Sequence, residues 1–400
     1  MGRLLGSRIL VGIGLISYSS YLWHQPIFAF AKHLGLHSSG HYVFFVLSCV
    51  SLVLGYMTWR FVEGPFRRVD YISGRNFTLF ALTLGGCLIA MGVWGNLKHG
   101  FKDRLPPNIV WQSLGEKLAV KGDICRLAPM PFVENVSACE FGDINAGRKV
   151  FLVGDSHAQA IGEELSSAFI NSGVKGVKLS LDDCGVMPSI LDAKEDASLK
   201  VDCKNRFDAL MRYIRTDGAP VILVARWSFR LYPIEGVITQ MPYFNSEGGF
   251  EKEGYRQYAV NENGALNFSI QAKDRALAEL VDGILATKVK LLVVYPVPEI
   301  AWDIASLNWI YWRDRKTVLQ EISIPYDDYV SRNAFVTDVF DRYLNVSNFH
   351  PIRPSEIFCN TYIVDRCVAQ YNGLPYYYDD DHLSAQCRFA WNLTLNTSAW

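Results

Sequence analysis

Two kinds of apolar pattern divide the chain. Over its first quarter the apolar residues run with little interruption, about 9 to 31, 42 to 59 and 77 to 95. Each run is close to the roughly 20 residues that take a helix across a bilayer. Further on, the apolar runs shorten and alternate with another spacing. KVFLV at 149–153, VKLSL at 177–181, PVILVA at 220–225 and KLLVVYPV at 290–297 read as strands. Between them, 158–170, 205–215 and 271–285 have helix-compatible periodicity. Short, continuously apolar strands separated by helices predict an open parallel sheet covered by helices. The expected fold class is therefore α/β, preceded by three transmembrane helices.

The first long run, ILVGIGLISYSSYLWHQPIFAFA, holds Ser17, Ser19, Ser20, His24 and Gln25, which are expected to face neighbouring helices. Three spans with polar connections outrun a signal peptide. Arg60, Arg67, Arg68 and Arg75 lie between the second and third runs, and Arg3 and Arg8 precede the first. The positive-inside rule places both groups in the cytoplasm, so the third span delivers the rest of the chain to the outer side. Seven of the nine cysteines follow the spans. They lack CxxC pairs, and an oxidising compartment would allow disulfides, with 125 to 139, 184 to 203 and 359 to 367 as candidate pairings and Cys387 left over. The formal net charge of −1 gives no reason to expect nucleic acid as a partner.

Candidate chemistry gathers where the strands end, as it does at the carboxyl edge of such sheets. GDSH follows the first strand, DDCG the second, ARWS the third, and YPVPE extends the fourth. Ser156 would stand where a strand meets a helix N-terminus, either as a nucleophile with backbone N–H groups nearby or as part of a simple cap. A serine nucleophile needs a base and a group that orients it. His157 is adjacent in sequence and poorly placed for the task, whereas YYYDDDHLS near the end puts Asp379 three residues before His382. The same acidic cluster would suit a metal, but the soluble part has no second compact histidine cluster, and no metal is expected. Gly12 and Gly14 sit inside the first apolar run and are no dinucleotide fingerprint.

VGDSHAQA resembles the nucleophile block of the SGNH hydrolase superfamily, and YYDDDHLS resembles its closing Asp-x-x-His block. The resemblance covers about residues 148 to 395. It implies Ser156 as nucleophile, His382 as base and Asp379 as the orienting carboxylate, with an oxyanion hole from the backbone of Ser156 and Gly185. The superfamily's Gly-x-Asn block has no clean match; Ala225, Arg226 and Trp227 stand in that region. Arg226 and Trp227 are candidate electrostatic or substrate contacts, and Tyr376, Tyr377 and Tyr378 candidate sugar-stacking aromatics or core packing.

SYSSYLWHQPIF at 17–28 and WRFVEGPFRR at 59–68 are similar to the closing portion of the acyltransferase-3 membrane family. That family carries acyl groups across the membrane toward glycans, and some members are fused to an SGNH domain. The upstream spans that would hold its catalytic histidine and acyl-donor motif are not represented, so a partner bundle or a longer gene product is expected to supply them. The resulting expectation is three parts: a three-span remnant at 1–95, a periplasmic linker and lead-in region at 96–147, and an SGNH-like catalytic domain at 148–400. The implied activity is extracytoplasmic O-acyl transfer, acetyl foremost, through a serine acyl-enzyme to a hydroxyl of a cell-surface glycan such as lipopolysaccharide. A membrane-anchored carbohydrate esterase and an inactive glycan-binding domain are the alternatives. No bound cofactor is expected; the acyl donor would derive from acetyl-CoA through a membrane component. The expected partners are the glycan, membrane lipid and an acyltransferase-3 bundle, at the bacterial inner membrane.

Overall fold

The computed structural model describes residues 7–33, 41–66, 74–101, 126–132, 137–180, 186–187, 190–192, 197–231, 241–242, 250–251, 257–260, 266–267, 269–300 and 303–384. These fall into two compact units, Met1–Pro106 and Pro107–Trp400.

The first unit contains helices α1 (Arg8–His33), α2 (His41–Thr58) and α3 (Gly74–Leu97). A π-helical turn, Trp59–Glu63, carries α2 on to Phe66. Two stretches are long and apolar enough to cross a membrane, Tyr42–Phe66 and Gly74–Leu97, with mean hydropathies of 1.8 and 1.9. The expectation of three such helices is corrected to two among the described residues. The reason is composition: α1 has the length, but its serines, His24 and Gln25 dilute its apolar character. Some of those polar groups do turn toward a neighbour. Ser19, fully buried, bonds the Glu63 carboxylate, and Trp23 Nε1 donates to Thr58 Oγ1 at 2.8 Å. His24 Nδ1 instead meets the Tyr21 carbonyl of its own helix, a local structural bond.

The second unit is built on a seven-stranded sheet. Its strands are β1 (Arg126–Pro129), β2 (Ser137–Gly142), β3 (Arg148–Gly154), β4 (Val174–Ser180), β5 (Val221–Val224), β6 (Leu291–Val294) and, after a strand β7 (Ile322–Pro325) of another sheet, β8 (Phe349–Ile352). Their spatial order is β1-β2-β4-β3-β5-β6-β8. From β4 to β8 every pairing is parallel, while β1 and β2 join antiparallel at the edge. The longer helices are α4 (Ser156–Ser172), α5 (Ala197–Asp217), α6 (Ile270–Leu285), α7 (Ile304–Arg315) and α8 (Tyr326–Asp341).

Alternation along the strands explains why both faces are covered. Phe151, Val153, Leu223 and Val293 point to one side, where Leu210 and Ile214 of α5 and Leu277 and Val281 of α6 pack on them. Leu152, Ile222, Val224 and Leu292 point to the other, onto Ile161, Leu165 and Phe169 of α4. Each such side chain contributes about 1.5–3 kcal/mol by leaving water. A smaller sheet, β7 with β9 (Arg366–Tyr371) and β10 (Leu374–Pro375), carries the chain toward the last described residues.

The strands foreseen from sequence at 149–153, 177–181, 220–225 and 290–297 correspond to β3, β4, β5 and β6. The lead-in region 96–147 differs from the expected linker, since its β1 and β2 extend the main sheet. They are short strands of mixed exposure near the sheet's edge, such as the largely exposed β1, and lack a continuous apolar run. The central strand β3 lies between its successor β4 and the later β5, so the chain leaves it in opposite directions. That reversal opens a crevice at the carboxyl edge, where such sheets place ligands.

Candidate active site

The end of β3 sets the position of the serine. Gly154 closes the strand, Asp155 is the N-cap and Ser156 is the first residue of α4. Asp155 Oδ1 accepts from the His157 N–H and its Oδ2 from the Arg226 N–H, each at 3.0 Å. One buried carboxylate thus caps the helix and ties the end of β3 to the end of β5. Asp155 takes the capping role, and Ser156 is left exposed. At the first helical position its own N–H has no acceptor within the helix.

The opposing histidine comes from a tightly closed loop. A bridge between Tyr377 and Leu383, with Tyr378 N–H donating to the His382 carbonyl at 3.2 Å, brings the two arms together. Inside it, Asp379 Oδ1 accepts the N–H groups of Asp381 at 3.0 Å and His382 at 2.7 Å. The loop is also fastened from outside, the Ile300 N–H donating to the Asp380 carbonyl at 2.8 Å. Held this way, His382 places Nε2 2.8 Å from Ser156 Oγ and Nδ1 2.8 Å from Asp379 Oδ2. The carboxylate can only accept, so Nδ1 bears the hydrogen and Nε2 is the nitrogen that exchanges a proton with the serine. Ser156, His382 and Asp379, the residues singled out from sequence, are therefore brought together in one hydrogen-bonded line.

A second carboxylate stands on the same ring nitrogen. Asp381 Oδ1 is 2.9 Å from His382 Nδ1, while its Oδ2 meets Arg226 Nε at 2.8 Å and His157 Nε2 at 3.1 Å. Arg226 continues to Glu299, whose other oxygen meets Arg332. Asp381, Glu299 and Arg332 are all buried. Burial acts to raise the Asp381 carboxyl, but hydrogen bonds from His157 and His382 and the charge of Arg226 hold it well below the usual range. Burial likewise works against Glu299, which Arg226 and Arg332 nevertheless keep low. For His382, burial disfavours the charged ring, yet Asp379 and Asp381 together push its pKa up to about 10.

Several sequence-based assignments change here. Trp227 is not a substrate contact: it is 1% exposed, its Nε1 donates to the Val294 carbonyl, and its ring meets Phe340 edge-on. Arg226, the other candidate contact, faces the site through the Asp381 and Glu299 carboxylates, which makes it an internal electrostatic group. Tyr376 and Tyr377 are buried, so they pack the core and offer no sugar platform. Tyr378 is partly exposed and stacks on the His382 ring at 5.3 Å between centroids. Gly185, the expected oxyanion donor, lies outside the described residues, as does Cys387. Cys359 and Cys367 are disulfide-bonded as expected. Cys139 and Cys203 are disulfide-bonded too, and their expected partners Cys125 and Cys184 lie outside the described residues.

Sequence reasoning missed Asp381, Glu299 and Arg332, and gave His157 no part. The only signal was the run of three aspartates. Donor atoms able to hold a cation do gather in two sets, His157 with Asp381 and His382, and Asp379 with Asp380 and Asp381. Asp381 is common to both, and its outer oxygen already holds the Arg226 cation, which a metal would have to displace.

Comparison with known proteins finds relatives over part of the chain. Two Staphylococcus aureus proteins bearing the name "Putative O-acetyltransferase", from strains COL and MRSA252, are 26% identical over 201 and 197 residues, covering 44% of this chain and 31% of each of them. The match thus spans about a third of those relatives' length. A solved periplasmic domain of a lipopolysaccharide acetyltransferase from Salmonella ser. Paratyphi A aligns with a TM-score of 0.44 and 15% identity, covering 74% of this chain and 98% of that one. Residues 124–387 match the family described as the SGNH domain fused to AT3 domains, and the chain belongs to that family.

Proposed function

We propose that the chain is an extracytoplasmic O-acyltransferase that moves an acyl group, acetyl foremost, through Ser156 to a hydroxyl of a cell-surface glycan. The observation that carries this reading is the line from exposed Ser156 Oγ through His382 to Asp379, at 2.8 Å for each side-chain contact. In its neutral form, which the two carboxylates disfavour, His382 Nε2 takes the hydroxyl proton as Ser156 Oγ bonds the acyl carbon. The tetrahedral intermediate then collapses, and the departing group receives that proton. In the second half a sugar hydroxyl gives its proton to His382 and attacks the acyl-serine, and Ser156 Oγ leaves and recovers the proton. The N–H of Ser156, joined by that of Gly185, would receive the oxyanion.

The names of the Staphylococcus aureus relatives support acetyl as the group transferred, and the family's fusion to AT3 domains supports an acyltransferase-3 bundle as the donor side. On this reading the acyl group derives from acetyl-CoA through that membrane component. Residues 1–95 anchor the chain in the bacterial inner membrane, and the catalytic domain from 148 onward works outside it. Ester hydrolysis is the second reading, favoured by the exposure of Ser156, which lets water compete with a sugar for the acyl-enzyme.

The test uses the full chain in detergent with p-nitrophenyl acetate, with and without surface-glycan oligosaccharides. Mass spectrometry should find a labile acetyl adduct on Ser156, and Ser156→Ala should lower turnover by about 10⁴-fold or more. Acetylated sugar supports transfer; free acetate alone supports the esterase. Wild-type turnover in folded Ser156→Ala protein would overturn both.

A further inference from the structure

We propose that His382 has two carboxylate partners, with Asp381 as a second positioning residue on its Nδ1 side and Arg226 and His157 holding Asp381 in place. The inference deepens the serine mechanism above and rests on it for its catalytic consequence.

The geometry is specific. The Nδ1–H bonds Asp379 Oδ2 at 2.8 Å, and Asp381 Oδ1 stands 2.9 Å from the same nitrogen as an ion-pair contact. The two carboxylates are secured by different means. Asp379, with 27% of its side chain exposed, is fixed by main-chain N–H groups of its own loop. Asp381, at 4%, is fixed by side chains from distant elements: Arg226 after β5, and His157 in the first turn of α4. An ion pair serving only to bury Arg226 would not need the other Asp381 oxygen turned onto the catalytic ring. Arg226 also has Glu299 as a second partner.

His157 thereby acquires a function that its neighbour's hydroxyl does not give it. Its ring is buried 4.8 Å from the His382 ring, and its Nε2 bonds Asp381, not Ser156. The residue after the nucleophile steadies the far side of the base. The charge around His382 has a definite sign: the carboxylates of Asp155, Asp379, Asp381 and Glu299 gather here with two guanidiniums, Arg226 on Asp381 and Glu299 and Arg332 on Glu299. With four carboxylates to two guanidiniums those surroundings are net negative, so the developing imidazolium is stabilised from two sides. Loss of either aspartate leaves the other on Nδ1.

Two measurements on the full chain in detergent separate this inference from the serine mechanism. The first follows the eight histidines by NMR with ring-¹³C label and reads the His382 titration whether or not Ser156 is acylated. Asp381→Asn should shift that titration to lower pH by about one unit, and His157→Phe, which keeps the ring volume and loses the donor, by less. The second follows acetylation of Ser156 with pH. Asp379→Asn and Asp381→Asn should each slow it by about 10- to 100-fold, and the double variant by about 10⁴-fold or more, exceeding the product of the two. A wild-type His382 titration in folded Asp381→Asn protein would overturn the inference, as would Asp379→Asn alone losing as much as the double variant. Absence of any Ser156 adduct, with the His382 titration shifted as expected, would overturn the serine mechanism and leave the pairing of Asp381 with His382 standing.

Discussion

Gly154 lies so close to Val224 that a Cβ at Gly154 would stand 2.0 Å from the Val224 carbonyl oxygen and 2.6 Å from the Ala158 Cβ. The obstacle is partly backbone, so it cannot rotate aside. β3 and β5 approach this closely where the chain turns to present Ser156, and only a residue without a side chain fits. Gly154→Ala should therefore destabilise the protein by about 1–3 kcal/mol through overpacking and displace the serine from His382. A lowered melting temperature together with lost esterase turnover at temperatures where the variant is folded would show both effects. Unchanged melting would mean that the turn relaxes more freely than the packing implies.

The chain of charges from Asp381 through Arg226 and Glu299 to Arg332 makes stability depend on acid. Glu299 and Asp381 both have lowered pKa values in the folded protein. Their contribution is complete above the unfolded carboxyl values of about 4 and is lost as pH falls through the folded ones. Glu299→Gln leaves the buried Arg332 and the partly buried Arg226 facing a neutral amide and should cost about 3–5 kcal/mol at neutral pH, as breaking a buried pair does. Because the variant has one fewer carboxylate to protonate, its stability should fall less steeply between neutral and acid. Denaturant unfolding across that range measures both, and equal slopes for the two proteins would contradict the assignment.

The Cys359 and Cys367 disulfide closes a short loop, with both cysteines buried in the core beside Phe358, Tyr376 and Tyr377. These aromatics lead directly into the loop that carries His382. Cross-linking a loop of this length restricts the unfolded chain by about 2–3 kcal/mol. The paired substitution Cys359→Ala with Cys367→Ala should lower stability by that amount, more than either catalytic substitution Ser156→Ala or His382→Gln. Intact-mass analysis without reduction, followed by thermal melting, checks the bond and its contribution.

What the sequence made legible follows from how local each feature is. β3 to β6 are buried on both faces, so their continuous apolar runs stand out, and α4 declares itself through Ile161, Leu165 and Phe169. Asp379 and His382 were readable because their spacing of three is itself the geometry of the turn that joins them. Asp381 was not, since nothing in a run of three aspartates says which of them turns inward; the bridge at Tyr377 and Leu383 decides it. Glu299 and Arg332 reach the site only through tertiary packing. Trp227 was misread beside Arg226 because the backbone turns into a short helix there, sending one side chain to the carboxylates and the next into the core. α1 was legible as a helix, and what the apolar run did not show is that some of the polar side chains along it have a partner in the next helix.

That partnership depends on Gly55 of α2. A Cβ there would stand 2.1 Å from Ser20 Oγ and 2.8 Å from the Ser20 backbone, so α1 and α2 touch at a point where neither can yield. Close contact at small residues is how helices gain packing energy where lipid supplies no hydrophobic drive. Gly12, by contrast, has nothing within 4 Å of an added Cβ. Since alanine intrinsically favours a helix over glycine by about 1 kcal/mol, Gly12→Ala should leave the melting of the full chain in detergent unchanged or slightly raised. Gly55→Ala enjoys the same intrinsic gain but forces α1 away, weakening the Trp23 to Thr58 hydrogen bond and the contact of Ser19 with Glu63. Its net effect should be a loss of about 1–2 kcal/mol, read as a lower melting temperature of the helical signal. If the two alanine variants melt alike, the close approach of Ser20 to Gly55 does not hold α1 against α2.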